Sequence, residues 1–206
     1  MKPDTMSSDG RGRRPARPDT TPGHPEDPPG DPDSVARLIC LRLLTGQPRT
    51  REELAAALSR RGVPGEAAAR VLSRFAEVGL IDDKAFADAW VGTRHVGRGL
   101  GRRTLSAELR RRGVDDRTVR DAMAGLDPET ELDTARRLVR RRLPSTARVE
   151  PAARVRRLVG MLARKGYPPA VAVRAVREEL AAAGDAEAGA LATEEAAGGI
   201  DRDESG

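Results

Sequence analysis

There is no asparagine in this chain, and glutamine occurs once, at Gln47. Those two amides are the usual bidentate readers of adenine edges, so base-specific duplex reading has few tools here. Cysteine is nearly absent too. Cys40 stands alone, no disulfide can close within the chain, and a reducing compartment is expected. In the run "VARLICLRLL" it reads as a small apolar core group. Four aromatic residues, Phe75, Phe86, Trp90 and Tyr167, offer no stacking platform for single-stranded bases. Phe86 and Trp90 lie four apart on one helix and read as core. Histidine occurs twice, as His24 and His95. With His24 in a polar leader, His95 has no second His or Cys near it to share a metal, and at a helix end it reads as a surface group. No apolar run is long enough to span a bilayer, and the N-terminus lacks the apolar core of a secretion signal. A cytoplasmic protein without membrane contact is expected.

Catalytic and cofactor sites are equally hard to assemble. Asp82 and Asp83 are adjacent, but they stand where a helix begins and read as caps. Gly97, Gly99 and Gly101 follow a helix, with no Gly-Lys-Ser/Thr run, so they read as a turn and not a phosphate cradle. The expectation is no catalytic residue, no metal and no cofactor.

Arginine is what the chain has. Lys2, Lys84 and Lys165 are the only lysines among 37 basic residues. Over 34–180, 31 Arg and Lys stand against 18 Asp and Glu, a net of +13, whereas 1–33 carries −2 and 181–206 carries −6. A strongly basic middle suits a polyanion or an acidic protein surface. Residues 1–33 and 183–206 show no apolar period and are expected to be disordered.

The middle repeats itself. "ELAAALSRRGV" (53–63), "TLSAELRRRGV" (104–114) and "RLVGMLARKGY" (157–167) align without gaps. Each has Leu, Leu four later and Gly four later: Leu54, Leu58 and Gly62; Leu105, Leu109 and Gly113; Leu158, Leu162 and Gly166. Leucines four apart share a helix face, and a glycine so placed can take the left-handed conformation of a helix stop. A second helix follows each glycine, opened by Pro64, Asp115 or Pro168. A third precedes each pair, over about 34–45, 82–96 and 127–142. Thr50 with Glu53 spells a capping box. The chain is thus expected to be all-α: three-helix repeats over 34–79, 80–126 and 127–182, elongated and curved, between disordered tails.

Positive charge falls in three clusters: Arg94, Arg98, Arg102 and Arg103; Arg110, Arg111 and Arg112; and Arg136, Arg137, Arg140, Arg141 and Arg142 with Arg154, Arg156, Arg157, Arg164 and Lys165 beyond. These are expected to form a basic face. Helix-turn-helix reading of DNA is the rival, since each repeat holds two helices around a glycine turn. Yet the helices in the reading position begin "PGEAAAR", "DDRTVRD" and "PPAVAVR", apolar or acidic where polar readers belong. Backbone contact is the better fit.

The run "GLIDDKAFADAW" followed by Arg94 and "GLGRRTLSAELRRRGV" resembles the signature of the RecX regulatory proteins, modulators of the RecA recombinase. The resemblance spans about 35–180. Arg102 stands where that family often has proline, arginine often replaces its lysine, and the third repeat matches loosely. It implies a non-enzymatic inhibitor that binds RecA and the RecA–single-stranded DNA filament, suppresses ATP hydrolysis, strand exchange and LexA cleavage, and binds DNA without sequence preference. A monomer is expected. The motif residues Leu80, Ile81, Asp82, Asp83, Phe86, Gly99, Gly101, Glu108, Leu109 and Gly113 are assigned to folding. Reversing Arg102, Arg103, Arg111 and Arg112 is expected to abolish inhibition and leave the helices intact. The alternatives are a helical transcriptional regulator acting without RecA and a protein-interaction scaffold that does not bind DNA.

Overall fold

A computed structural model of the protein describes residues 30–185 and 190–192. The remaining parts of the two ends expected to be disordered lie outside the described residues. The described elements are α1 (Pro32–Gly46), α2 (Arg51–Ser59), α3 (Gly65–Glu77), α4 (Asp83–Arg98), α5 (Arg102–Arg111), α6 (Asp116–Ala124), α7 (Pro128–Arg142), a 3-10 turn at Leu143–Thr146, α8 (Pro151–Arg164) and α9 (Pro169–Ala182). They form three successive three-helix units, and no strand occurs among the described residues.

Local chemistry sets the helix ends. Thr50 and Glu53 close their capping box on α2. Asp82, Asp115, Asp127 and Glu150 accept from the first-turn amides of α4, α6, α7 and α8. The three repeated glycines stop α2, α5 and α8 at φ 73°, 79° and 87°. In each case the amide of the next residue (Val63, Val114, Tyr167) returns to a leucine carbonyl (Leu58, Leu109, Leu162) at 3.1–3.2 Å. That is a Schellman stop. The six repeated leucines are all fully buried, two in each unit's core. Each contributes about 1.5–3 kcal/mol relative to exposure. Leu191 and Ala192, beyond α9, also pack on the third core.

The units are joined by one device used twice. At the first joint, the Thr50 hydroxyl donates to the Arg112 carbonyl at 2.6 Å, and the Arg51 amide donates to Asp83 at 2.9 Å. At the second, the Gly101 amide donates to the Lys165 carbonyl at 2.8 Å, and the Arg102 amide donates to Glu131 at 3.0 Å. So the start of a middle helix sits on the next unit's glycine turn, and its first amide finds a carboxylate on that unit's first helix. The second joint is dense. Tyr167 donates to the Gly99 carbonyl at 3.2 Å, and Lys165 to the Arg98 carbonyl at 2.9 Å. Burial and the nearby Glu131 charge push the Tyr167 phenol well above its ordinary range, so it stays a neutral donor. At the start of α8 the second half of this hand-off has no donor: Pro151, in the place of Arg51 and Arg102, has no amide to give.

One expectation needs correction. His95 is not a surface group. It is 2% exposed, with Nδ1 2.8 Å from the Leu100 carbonyl and Nε2 3.5 Å from that of Thr130. The loop after α4 and the start of α7 close over it. Leu80 is half exposed, at 49%, while its neighbour Ile81 enters the first core.

The joint can be tested by a methyl group. A Cβ on Gly101 would lie 2.6 Å from the backbone of Gly166 and Tyr167, although Gly101 has an ordinary φ of −82°. A Cβ on Gly62 would meet nothing, although its φ is +73°. Gly62→Ala is expected to cost only left-handed strain, about 1–2 kcal/mol. Gly101→Ala should cost about 1–3 kcal/mol from overpacking alone and loosen amide-exchange protection at Arg102 and Arg103, which Gly62→Ala should leave unchanged. Urea melts and hydrogen exchange of the two variants read the difference. A pH dependence follows from the caps. Hydrogen bonds to Thr118 hold the Asp115 carboxyl below its usual range, those to Thr130 do so for Asp127, and those from Ala153 and Ala152 for Glu150. A folded carboxyl held low contributes stability above its unfolded value, about pH 4, and loses it as pH falls through the lower folded value. Thermal melts from neutral pH into acid should therefore fall below about pH 4, and less steeply in D115N/D127N, whose amides still cap but do not titrate.

Candidate nucleic-acid interface

The basic residues sort by what their heads touch. Some are spent on structure. Arg102 reaches buried Glu131 at 2.6 Å across the second joint, and the Leu126 carbonyl of its own unit at 3.3 Å. Arg112 pairs with Glu53 across the first and lies 4.0 Å from the Trp90 ring centre. Arg94 covers Trp90 at the same distance, so cations flank that ring. Trp90 in turn donates to Glu108 at 2.9 Å. Arg110 pairs with Asp116 and Arg140 with Glu179, both at 2.7 Å, and Arg137 donates to Thr134 at 2.8 Å. Lys165 belongs to the second joint.

The others have no acidic partner. Arg98, Arg103, Arg111, Arg141, Arg156, Arg157 and Arg164 are exposed and make no side-chain ion pair among the described residues. Partner-free guanidiniums present five donors each in a planar fork matched to phosphate oxygens. The fold gathers all of these but Arg111 into grooves. One, of about 750 Å³, lies on the third unit, where Arg142 at the end of α7 faces Arg156, Arg157 and Arg164 on α8. Its floor is Leu158 and Met161, and no carboxylate lines it. A second, of about 400 Å³, brings Arg98 at the end of α4 to Arg137, Arg140 and Arg141 on α7. A third, of about 560 Å³, holds Arg102, Arg103, Arg110 and Arg120 between α5 and α6.

One of these lining residues was not marked from the sequence. Arg120 lies on α6, outside the three clusters, and the packing of α6 on α5 brings it in. Sequence reasoning also missed the groove of about 490 Å³ between α1 and α4, floored by Leu44, Leu80, Phe86 and Trp90. Phe86, expected as core, is half-buried at its wall. Of the motif residues, Asp82 caps α4, Asp83 receives the Arg51 amide, and Gly99, at φ 61°, ends α4. Burial pushes the Asp83 carboxyl up, against the amide bond that lowers it. Among the described residues no group of three or more His, Cys, Asp or Glu side chains is placed to hold a metal, and no helix is long and apolar enough to cross a membrane.

Known proteins can be set beside this geometry. Models of the first, second and third three-helix domains of RecX match residues 36–75, 82–123 and 129–176. "Regulatory protein RecX" of Thermobifida fusca is 59% identical over 156 residues, 76% of this chain and 84% of that protein. The protein of the same name from Streptomyces coelicolor is 56% identical over 159 residues, covering 77% and 85%. That from Mycolicibacterium smegmatis is 46% identical over 168 residues, covering 79% and 89%. Among solved structures, RecX from Lactobacillus salivarius superposes with a TM-score of 0.70 at 19% identity, covering 72% of this chain and 97% of that one. Another regulatory protein RecX gives 0.65 at 23%, covering 72% and 73%; at such identities these two speak for the fold alone. Matched in each of its three helical units, and closely related along most of its length to curated members, the chain belongs to the RecX family.

Proposed function

We propose that this protein binds RecA and the RecA–single-stranded DNA filament as a monomer in the cytoplasm and inhibits ATP hydrolysis, strand exchange and LexA cleavage. It thereby modulates recombinational repair and the SOS response. The observation that carries the reading is the set of seven exposed, partner-free arginines spread over two linked units. Such a surface suits a repeating array of phosphates or acidic side chains, and its DNA contacts are expected to ignore sequence. The family's name supports the RecA part of the reading. Against a transcriptional regulator stand α3, α6 and α9, which open with Gly-Glu-Ala, Asp-Arg-Thr and Pro-Ala-Val and place little base-reading chemistry in their first turns.

The structure changes which arginines make the informative test. Arg102 and Arg112 hold joints, so reversing them disturbs the fold's assembly as well as its surface. The cleaner variant is R98E/R103E/R111E/R141E, whose native side chains make no ion pair to lose. The ATPase rate of RecA on single-stranded DNA, with this protein titrated in, should fall well below one protein per RecA. The variant should need more than about 10-fold more protein, with an unchanged circular dichroism spectrum. On bare single strands its log affinity against log salt should flatten by about 0.7 per lost phosphate contact. Full inhibition by the variant would sink the arginine face. No inhibition by the wild type, with DNA binding intact, would favour the regulator acting without RecA.

A further inference from the structure

The four-arginine groove on the third unit lacks a counter-charge that the rest of that unit has in abundance. Arg136 pairs with Asp133 and Glu178, Arg140 with Glu179, Arg154 with Asp185, and Arg174 with Glu129 and Glu178. The unit's carboxylates are thus committed elsewhere, while Arg142, Arg156, Arg157 and Arg164 share one groove with none. The groove's floor and the end of the described chain also share one core. Leu158 and Ala192 belong to the same buried cluster, against which Met161 and Leu191 pack. Residues 193–206 therefore leave from the body that carries the groove. They hold Glu194, Glu195, Asp201, Asp203 and Glu204 against Arg202 alone, a net of −4. Residues 1–29, by contrast, carry five acids and five bases and offer no net complement.

We propose that the acidic segment 193–206 docks in the groove formed by Arg142, Arg156, Arg157 and Arg164 and competes there with phosphate. Its use as a brake on polyanion binding rests on the reading under "Proposed function"; the docking itself does not. Reach is ample: these residues extend to about 46 Å, against a radius of gyration near 10 Å for a unit of this size. Tethering holds the acids at an effective concentration of the order of millimolar. Exposed guanidinium–carboxylate pairs are individually weak and screened by salt, so the segment yields to a denser array of charge. The result is a threshold: isolated anions are refused, and a continuous phosphate backbone displaces the segment.

Contact is tested first, without nucleic acid. A nitroxide is attached at G198C; Cys40 is fully buried and does not compete for the label. At low salt, about 50 mM, the label should broaden the arginine Nε–H signals of Arg142, Arg156, Arg157 and Arg164 selectively, and at about 500 mM the broadening should vanish. Absent broadening, or broadening spread evenly over the arginines, overturns the proposal. Competition is tested with a fluorescein-labelled 20-mer of deoxythymidine and no RecA. Neutralising the segment (E194Q/E195Q/D201N/D203N/E204Q) should tighten binding about 3- to 10-fold at low salt and change nothing in an R142Q/R156Q/R157Q/R164Q background. Equal tightening in that background places the segment's effect elsewhere and overturns the docking. If the oligonucleotide binds neither form while the broadening persists, the docking stands and the phosphate reading falls.

Discussion

The structure depends on one contact: the first residues of a middle helix laid against the glycine turn of the next unit. Each unit alone has a modest core, mostly aliphatic and built around its two repeated leucines, with Phe75 in the first, Met123 in the second and Tyr167 in the third. Thin cores of this kind lean on their neighbours. What makes the leaning specific is backbone chemistry. An orphan amide at a helix start needs an acceptor, and the adjoining unit supplies a carbonyl and a carboxylate. The two partners approach so closely that Gly101 and Gly166 leave no room for a methyl group between them. Sequence periodicity and inter-unit geometry are therefore one constraint, since the glycine that stops a helix is also the seat of the preceding one.

That constraint divides the arginines. Arg102 and Arg112 use the fork and the flat face of guanidinium together: one binds a buried carboxylate and a carbonyl, the other a carboxylate and an indole ring. Lysine has neither the geometry nor the plane for either role. Elsewhere the same residue type does the opposite, standing in water with no partner. A composition that looks like uniform positive charge is two populations, one internal and one outward-facing. Joint arginines hold the units in register, and that register brings Arg98 of one helix beside Arg137, Arg140 and Arg141 of another unit.

Features whose causes lie within about five residues were legible in the sequence. Leucine spacing, the glycine stops, the Thr50 capping box and the Asp82 cap all belong to this class, because helix periodicity and capping are local rules. The three units and their all-helical character followed from them. What stayed hidden was set by contacts across long separations. Glu131 lies 29 residues from Arg102, and Glu53 lies 59 from Arg112. No pattern near any of these residues reveals the pairing, so Arg102 and Arg112 looked like their exposed neighbours Arg103 and Arg111. His95 misled for the same reason: its place near a helix end suggested solvent, and the unit that covers it begins more than thirty residues later. Grooves were legible as charge runs and not as cavities. The run at 136–142 was marked, but which of its members are neutralised depended on α9.

The start of α8 differs from the starts of α2 and α5. Pro151 stands at its first position, where Arg51 and Arg102 give an amide to a carboxylate of the next unit, and a proline ring has no amide to give. Were a further unit grafted after α9, the carboxylate half of the joint would lack its donor, and the Glu150 amide alone would be left to meet a glycine turn.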